Sequence, residues 1–128
     1  MIVGIGTDLV EISRIAKALE KSNALAKRVL TPAEWSEFEK STDKPRYLAK
    51  KFASKEATVK AIGTGIGNGM GWQHIEISHD ERGKPMLNAL GAFKKWCSDN
   101  NVTELHLSIA DEQAYATAFV VIEGGGVQ

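Results

Sequence analysis

The chain has 128 residues, 43% hydrophobic and 25% charged, with no net formal charge. That size and balance fit one soluble domain with a real core. A single cysteine, Cys97, excludes an intrachain disulfide and a zinc site built on cysteines. No apolar run approaches the roughly 18 residues of a membrane span. The start "MIVGIGTD" lacks a basic region followed by a long apolar stretch. No signal peptide is expected, and a cytoplasmic setting is.

In chain order, "IVGIGTD" reads as a short apolar strand broken by Gly4 and Gly6. Leu9, Ile12, Ile15, Ala16 and Leu19 then recur at helical spacing. Asp8 ahead of them and Glu11 three residues later resemble a capping box. "SNALAKRVL" is a short helix or turn. Thr31-Pro32-Ala33-Glu34 is a clear helix start, with Thr31 as N-cap and Glu34 closing the box, and that helix runs to about Lys40. After the break "STDKP", the longest helical pattern covers residues 46–62, its apolar face carrying Leu48, Phe52, Val59 and Ile62. Gly63 caps it, and a glycine-rich loop spans residues 63–71. "WQHIEISHD" alternates as a strand, Asp80-Glu81-Arg82-Gly83 turns, and "KPML" begins the return strand or the next helix. Residues 88–98 form an amphipathic helix. "TELHLSIAD" and "AYATAFVVIE" pair as a hairpin turning near Glu112-Gln113, and "GGGVQ" is a frayed tail. Helices in the first half and antiparallel strands in the second predict an α+β fold. Residues 1–123 form its one domain and 124–128 a flexible tail.

Three positions carry candidate chemistry. Glu56 and Lys60 stand at i and i+4 on one helix face. As an exposed ion pair they would be worth only roughly 0.3–0.5 kcal/mol. As a site, the glutamate offers oxygen ligands to Mg²⁺ and the lysine offers charge to a leaving phosphate. Asp8, at the end of a strand, is a second carboxylate for the same cation, or simply a helix cap. The loop glycines match neither the Rossmann nor the Walker pattern and follow a helix rather than precede one. They either cap and cross over, or let backbone approach a phosphate. Charge is uneven: residues 1–60 hold 12 Lys+Arg against 8 Asp+Glu, and the remainder 4 against 8. The basic half suggests a local electropositive surface rather than general nucleic-acid affinity.

Together, "GIGTDLVEISRI", "FASKEATVKAIGTGIG", "GKPML" and "HLSIADEQAYATAFVVIE" resemble the holo-acyl-carrier-protein synthases, the short 4′-phosphopantetheinyl transferases, from Met1 to about Glu123. The resemblance implies a small antiparallel sheet packed against a long helix, in a homotrimer with active sites at subunit interfaces. It implies transfer of 4′-phosphopantetheine from coenzyme A to a serine of apo acyl carrier protein, releasing adenosine 3′,5′-bisphosphate, for fatty acid biosynthesis. By similarity Asp8 and Glu56 would hold Mg²⁺, and Lys60 would assist the departing phosphate. Glu56, directly or through a bound water, would take the serine proton. Gly63, Thr64 and Gly65 would line the nucleotide, His106 would contact its end, and Lys44 and Arg46 would meet the 3′-phosphate. Arg14 matches a carrier-contact position, Lys17, Lys21 and Arg28 extend its positive surface, and Leu25 is the apolar anchor. The string "HLSIADE" has Ala-Asp where other members have Thr-His, so Asp111 receives no role, and Lys55 none beyond membership of the motif. Two other readings are a non-catalytic coenzyme A or nucleotide-binding module and a structural trimeric domain with solvated charges.

Overall fold

A computed structural model describes residues 1–125. Strand β1 (Ile2–Glu11) leads into helices α1 (Ile12–Lys21), α2 (Ala24–Val29), α3 (Pro32–Lys40) and α4 (Lys44–Ile62). A 3₁₀ turn (Trp72–His74) opens strand β2 (Ile75–His79), which pairs antiparallel with β3 (Pro85–Ala89). Helix α5 (Gly91–Asp99) precedes β4 (Val102–Asp111) and β5 (Tyr115–Gly124). The larger sheet is antiparallel, in the order β1-β5-β4. The expected α+β architecture, a small antiparallel sheet against one long helix, is what the chain adopts. Among the described residues no helix is long and apolar enough to cross a membrane.

Small residues set how close α4 lies to that sheet. Ala49, Ala53 and Ala57 of α4 and Ala116, Ala118, Val120 and Ile122 of β5 are all buried. On β1 the fit is tighter still. A Cβ built on Gly4 would sit 2.1 Å from the Ala61 carbonyl oxygen, and one on Gly6 would sit 2.0 Å from that of Ala57. Glycine is therefore required at both positions by contact, not by backbone conformation. Because side chains alternate along a strand, the positions that face α4 are Gly4, Gly6, Asp8 and Val10.

Local signals predict several boundaries well. Thr31 and Glu34 form the complete capping box of α3. Gly63 ends α4 with φ +78°, its N–H donating to the Val59 carbonyl at 2.9 Å. "KPML" resolves into the return strand β3. The start of α1 differs from expectation. Asp8 is not a cap: β1 continues to Glu11, which occupies the N-cap position without a side-chain cap bond. The reason is tertiary. Pairing with β5 runs on through Glu11 opposite Tyr115, and the Ile12 N–H donates to Ala114 O at 2.9 Å. Leu9 consequently lies on the outer sheet face, 65% exposed, instead of on a helix. Gly124 belongs to β5, and its N–H donates to Met1 O at 2.8 Å. The expected tail beyond Gly125 lies outside the described residues.

Candidate active site

Asp8, Glu56 and Lys60 come together where β1 crosses α4. Gly4 and Gly6 allow the strand to lie on the helix, so Asp8 arrives over its last turns. The strand is pinned there to β5 in both directions: Thr7 Oγ1 donates to Ala118 O (3.1 Å) and Thr117 Oγ1 donates to Asp8 O (2.8 Å). Lys60 does not pair with Glu56, its i−4 neighbour. Its Nζ donates instead to Asp8 Oδ1 (3.0 Å) and Thr7 O (3.1 Å). The exposed Glu56–Lys60 ion pair that helical spacing allowed is thus absent. Among the described residues Glu56 has neither a salt bridge nor a side-chain hydrogen bond.

That arrangement has an electrostatic signature. Burial, and then the neighbouring Asp8 charge, push the Glu56 carboxyl above the ordinary carboxylate range, while Lys60 pulls it the other way. Two neighbouring carboxylates, one of them with no side-chain partner among the described residues, suit a divalent cation. No group of three or more His, Cys, Asp or Glu side chains converges as a metal cage among the described residues. Two carboxylates alone fit Mg²⁺ well, since that ion keeps waters and takes phosphate oxygens for its other positions.

Glu56 is shared by two clefts. One, about 430 Å³, is lined by Asp8, Arg14, Ile15, Leu25, Phe52 and Glu56 among others. The other, about 420 Å³, is lined by Glu56, Val59, Lys60, Gly63, Gly65 and Ile66. The predicted docking residues Arg14 and Leu25 therefore open onto the same space as Asp8 and Glu56. Lys17 and Lys21 follow Arg14 on the exposed face of α1, and Arg28 is exposed on α2. Phe52 is a cleft residue that helical periodicity assigned to the core.

The glycine loop owes its shape to conformation. Gly63, Gly65, Gly67 and Gly69 all have positive φ, and a Cβ on any of them would meet nothing within 4 Å. Gly67 and Met70 exchange backbone hydrogen bonds (2.8 and 2.9 Å), closing a tight turn. Thr64 stands at the exposed start of this loop, its hydroxyl donating to Gly65 O (3.3 Å). The loop follows a helix C-terminus, whose dipole disfavours anions. An anion here would depend on Lys60 and on loop N–H groups.

Two predicted ligand contacts do not reach this end of α4, and a third faces the outer side of the sheet. Lys44 and Arg46 lie at the start of α4, about 24 and 21 Å from Lys60 at 1.5 Å per residue. Lys44 Nζ donates to Ser41 O (3.1 Å). Arg46 clamps the β4–β5 turn: Nε donates to Asp43 (3.1 Å), Nη1 to Asp111 (2.9 Å) and Glu112 O (2.6 Å), and Nη2 to Gln113 O (3.3 Å). His106 points from the outer face of β4, with Nε2 2.6 Å from Glu123 Oε1.

The sequence profile of the 4′-phosphopantetheinyl transferase superfamily matches residues 4–120. The chain belongs to that superfamily. Its similarity to individual superfamily members extends over nearly its whole length. Holo-[acyl-carrier-protein] synthase of Alteromonas mediterranea is 52% identical over 122 residues, 95% of this chain and 97% of that protein. The crystal structure of holo-[acyl-carrier-protein] synthase from Neisseria meningitidis matches with a TM-score of 0.90 and 44% identity, over 96% of this chain and 99% of that one. The Bacillus anthracis synthase, solved in complex with CoA (3′,5′-ADP), matches with a TM-score of 0.81 and 37% identity, over 98% and 99% of the two chains.

Proposed function

We propose that this chain transfers the 4′-phosphopantetheine group of coenzyme A to a serine hydroxyl of apo acyl carrier protein. Adenosine 3′,5′-bisphosphate leaves, and the product carrier serves fatty acid biosynthesis. The observation that carries the reading is the junction of two clefts at Glu56, one running to Arg14 and Leu25, the other to Lys60 and the glycine loop. Superfamily membership and the synthase relatives support it.

In this reading the carrier docks along α1 and α2. Arg14, Lys17, Lys21 and Arg28 attract its acidic surface, and Leu25 supplies an apolar contact. The serine then enters the Asp8–Glu56 cleft from that side. Glu56 takes the hydroxyl proton as the serine oxygen forms its bond to the phosphorus of the pantetheine-bearing phosphate. The bond from that phosphorus to the nucleotide-side oxygen breaks. Lys60, already turned toward Asp8, meets the negative charge that develops on the leaving group. Gly63, Thr64 and Gly65 present backbone to the nucleotide.

Asp8 and Glu56 would hold Mg²⁺. Bound there, the ion would draw charge from the diphosphate and orient it for in-line displacement.

We also propose a homotrimer. The outer sheet face exposes Ile5 (59%), Leu9 (65%) and Phe119 (47%), apolar surface that a second copy would cover. Lys44 and Arg46, too distant from Lys60 to serve the same nucleotide within one chain, become usable if a neighbouring copy supplies them, and His106, on the outer sheet face, would lie at such a contact.

The test incubates the chain with apo acyl carrier protein, coenzyme A and Mg²⁺ and reads the carrier by mass spectrometry. Gain of the phosphopantetheine mass, lost in EDTA and restored by Mg²⁺ or Mn²⁺, is the expected result. An unmodified carrier defeats the transferase, and coenzyme A binding without modification favours a non-catalytic module. In the same assay Arg14→Glu should raise KM for the carrier about tenfold, with KM for coenzyme A within twofold. Equal effects on both substrates contradict the docking assignment.

A further inference from the structure

Lys55 is fully buried, next to Glu56 on α4. Its ammonium has three hydrogens and three acceptors: Val29 O at 2.6 Å, Glu34 Oε1 at 2.6 Å and Trp72 O at 3.2 Å. Glu34 is equally occupied. Its Oε1 also accepts from Thr31 N–H (2.9 Å) and its Oε2 from Ile77 N–H (2.7 Å). These partners belong to different segments. Val29 ends α2, the helix with Leu25 and Arg28, and Glu34 lies in the first turn of α3. Trp72 follows the glycine loop directly, and its ring lies 5.3 Å from that of Phe52, which lines the Asp8–Glu56 cleft.

A buried ion pair is weak evidence of added stability, because apolar side chains of similar volume often hold a fold as well. What an ammonium with three fixed acceptors adds is direction. Successive residues of a helix are turned by a set angle, so fixing Lys55 about the axis of α4 fixes the direction of Glu56 as well. The same group ties down the exit of the nucleotide loop.

We propose that Lys55 is a positioning residue for phosphopantetheine transfer, holding Glu56 opposite Asp8 and anchoring the end of the glycine loop through Trp72. The proposal rests on the transferase reading. Lys55→Met/Glu34→Gln removes both charges together and leaves no stranded carboxylate. Thermal melting and circular dichroism establish that the variant is folded. Steady-state kinetics should then give a kcat at least tenfold below wild type with KM for the carrier within twofold. Isothermal titration of coenzyme A should show affinity weakened at least threefold. A folded variant with wild-type kcat, or with wild-type affinity for coenzyme A, overturns the proposal and leaves Lys55 as packing. Lys55→Gln/Glu34→Gln, which strands no carboxylate and whose shorter, two-hydrogen amide at position 55 cannot serve all three acceptors, is the second variant should the first not fold, and it is read the same way. Failure of the underlying reading is distinguishable: the wild-type chain itself would then modify no carrier, while the titration still reports on the loop anchor.

Discussion

Two lysines five residues apart on α4 each meet a carboxylate from a distant segment, in opposite surroundings. Lys55 and Glu34 lie 2.6 Å apart with side chains 0% and 1% exposed. Lys60 and Asp8 lie 3.0 Å apart with the lysine 53% exposed. Burial pushes the Lys55 ammonium below the usual lysine range, with Glu34 opposing that shift. Its hydrogen bonds are all taken by the protein. Lys60 lies at the edge of a cleft, beside a glutamate with no side-chain partner among the described residues. Equal charges on one helix thus divide into a fastener and a tool, and solvent access decides which is which.

Breaking the fastener should have the largest effect on stability. Lys55→Met strands the Glu34 carboxylate in the core and should cost about 3–5 kcal/mol in urea denaturation. A loss below about 1 kcal/mol would mean that the two pairs are energetically alike. Next comes the contact that delivers Asp8 to Lys60. Gly6→Ala places a methyl against the Ala57 carbonyl and should cost about 1–3 kcal/mol. Transfer should fall with it, since β1 must lift from α4. Unchanged stability and rate would contradict the close crossing. Lys60→Met should have the smallest effect on the fold, within about 1 kcal/mol, while lowering kcat about 10- to 100-fold. A stability loss like that of Lys55→Met would erase the distinction between the pairs.

Legibility in the sequence followed the range of the interaction. The capping box at Thr31, the Gly63 cap, the span of α4 and the β4–β5 hairpin depend on neighbours within a few residues, and local pattern locates them. The continuation of β1 through Glu11 depends on a strand more than a hundred residues away, so helical spacing misassigned Leu9 and Asp8. The two lysine partners were hidden for the same reason. Glu34 reads as a capping residue because Thr31 is three positions away, whereas Lys55 is 21 away. Lys60 reads as the partner of Glu56 because nothing local announces Asp8, 52 residues away. Gly4 and Gly6 were visible as breaks, but the reason for them, the carbonyls of α4, was not. The motif resemblance supplied Asp8, Glu56 and Lys60 as a set, and the fold supplies their contacts.

Glu56 stands where the two clefts meet. Its proton affinity is raised in the folded chain. Any stability from that shift is full below its unfolded pKa and is lost as pH rises through the higher folded value. Above that folded value an ionised Glu56 burdens the metal-free fold, and there Glu56→Gln should melt at or above the wild-type temperature. The decisive measurement is the rate of phosphopantetheine transfer to apo acyl carrier protein by this folded Glu56→Gln variant at saturating coenzyme A and Mg²⁺. The expected rate is at least about 100-fold below wild type. A folded variant that transfers at close to the wild-type rate would remove Glu56 from the chemistry and contradict it.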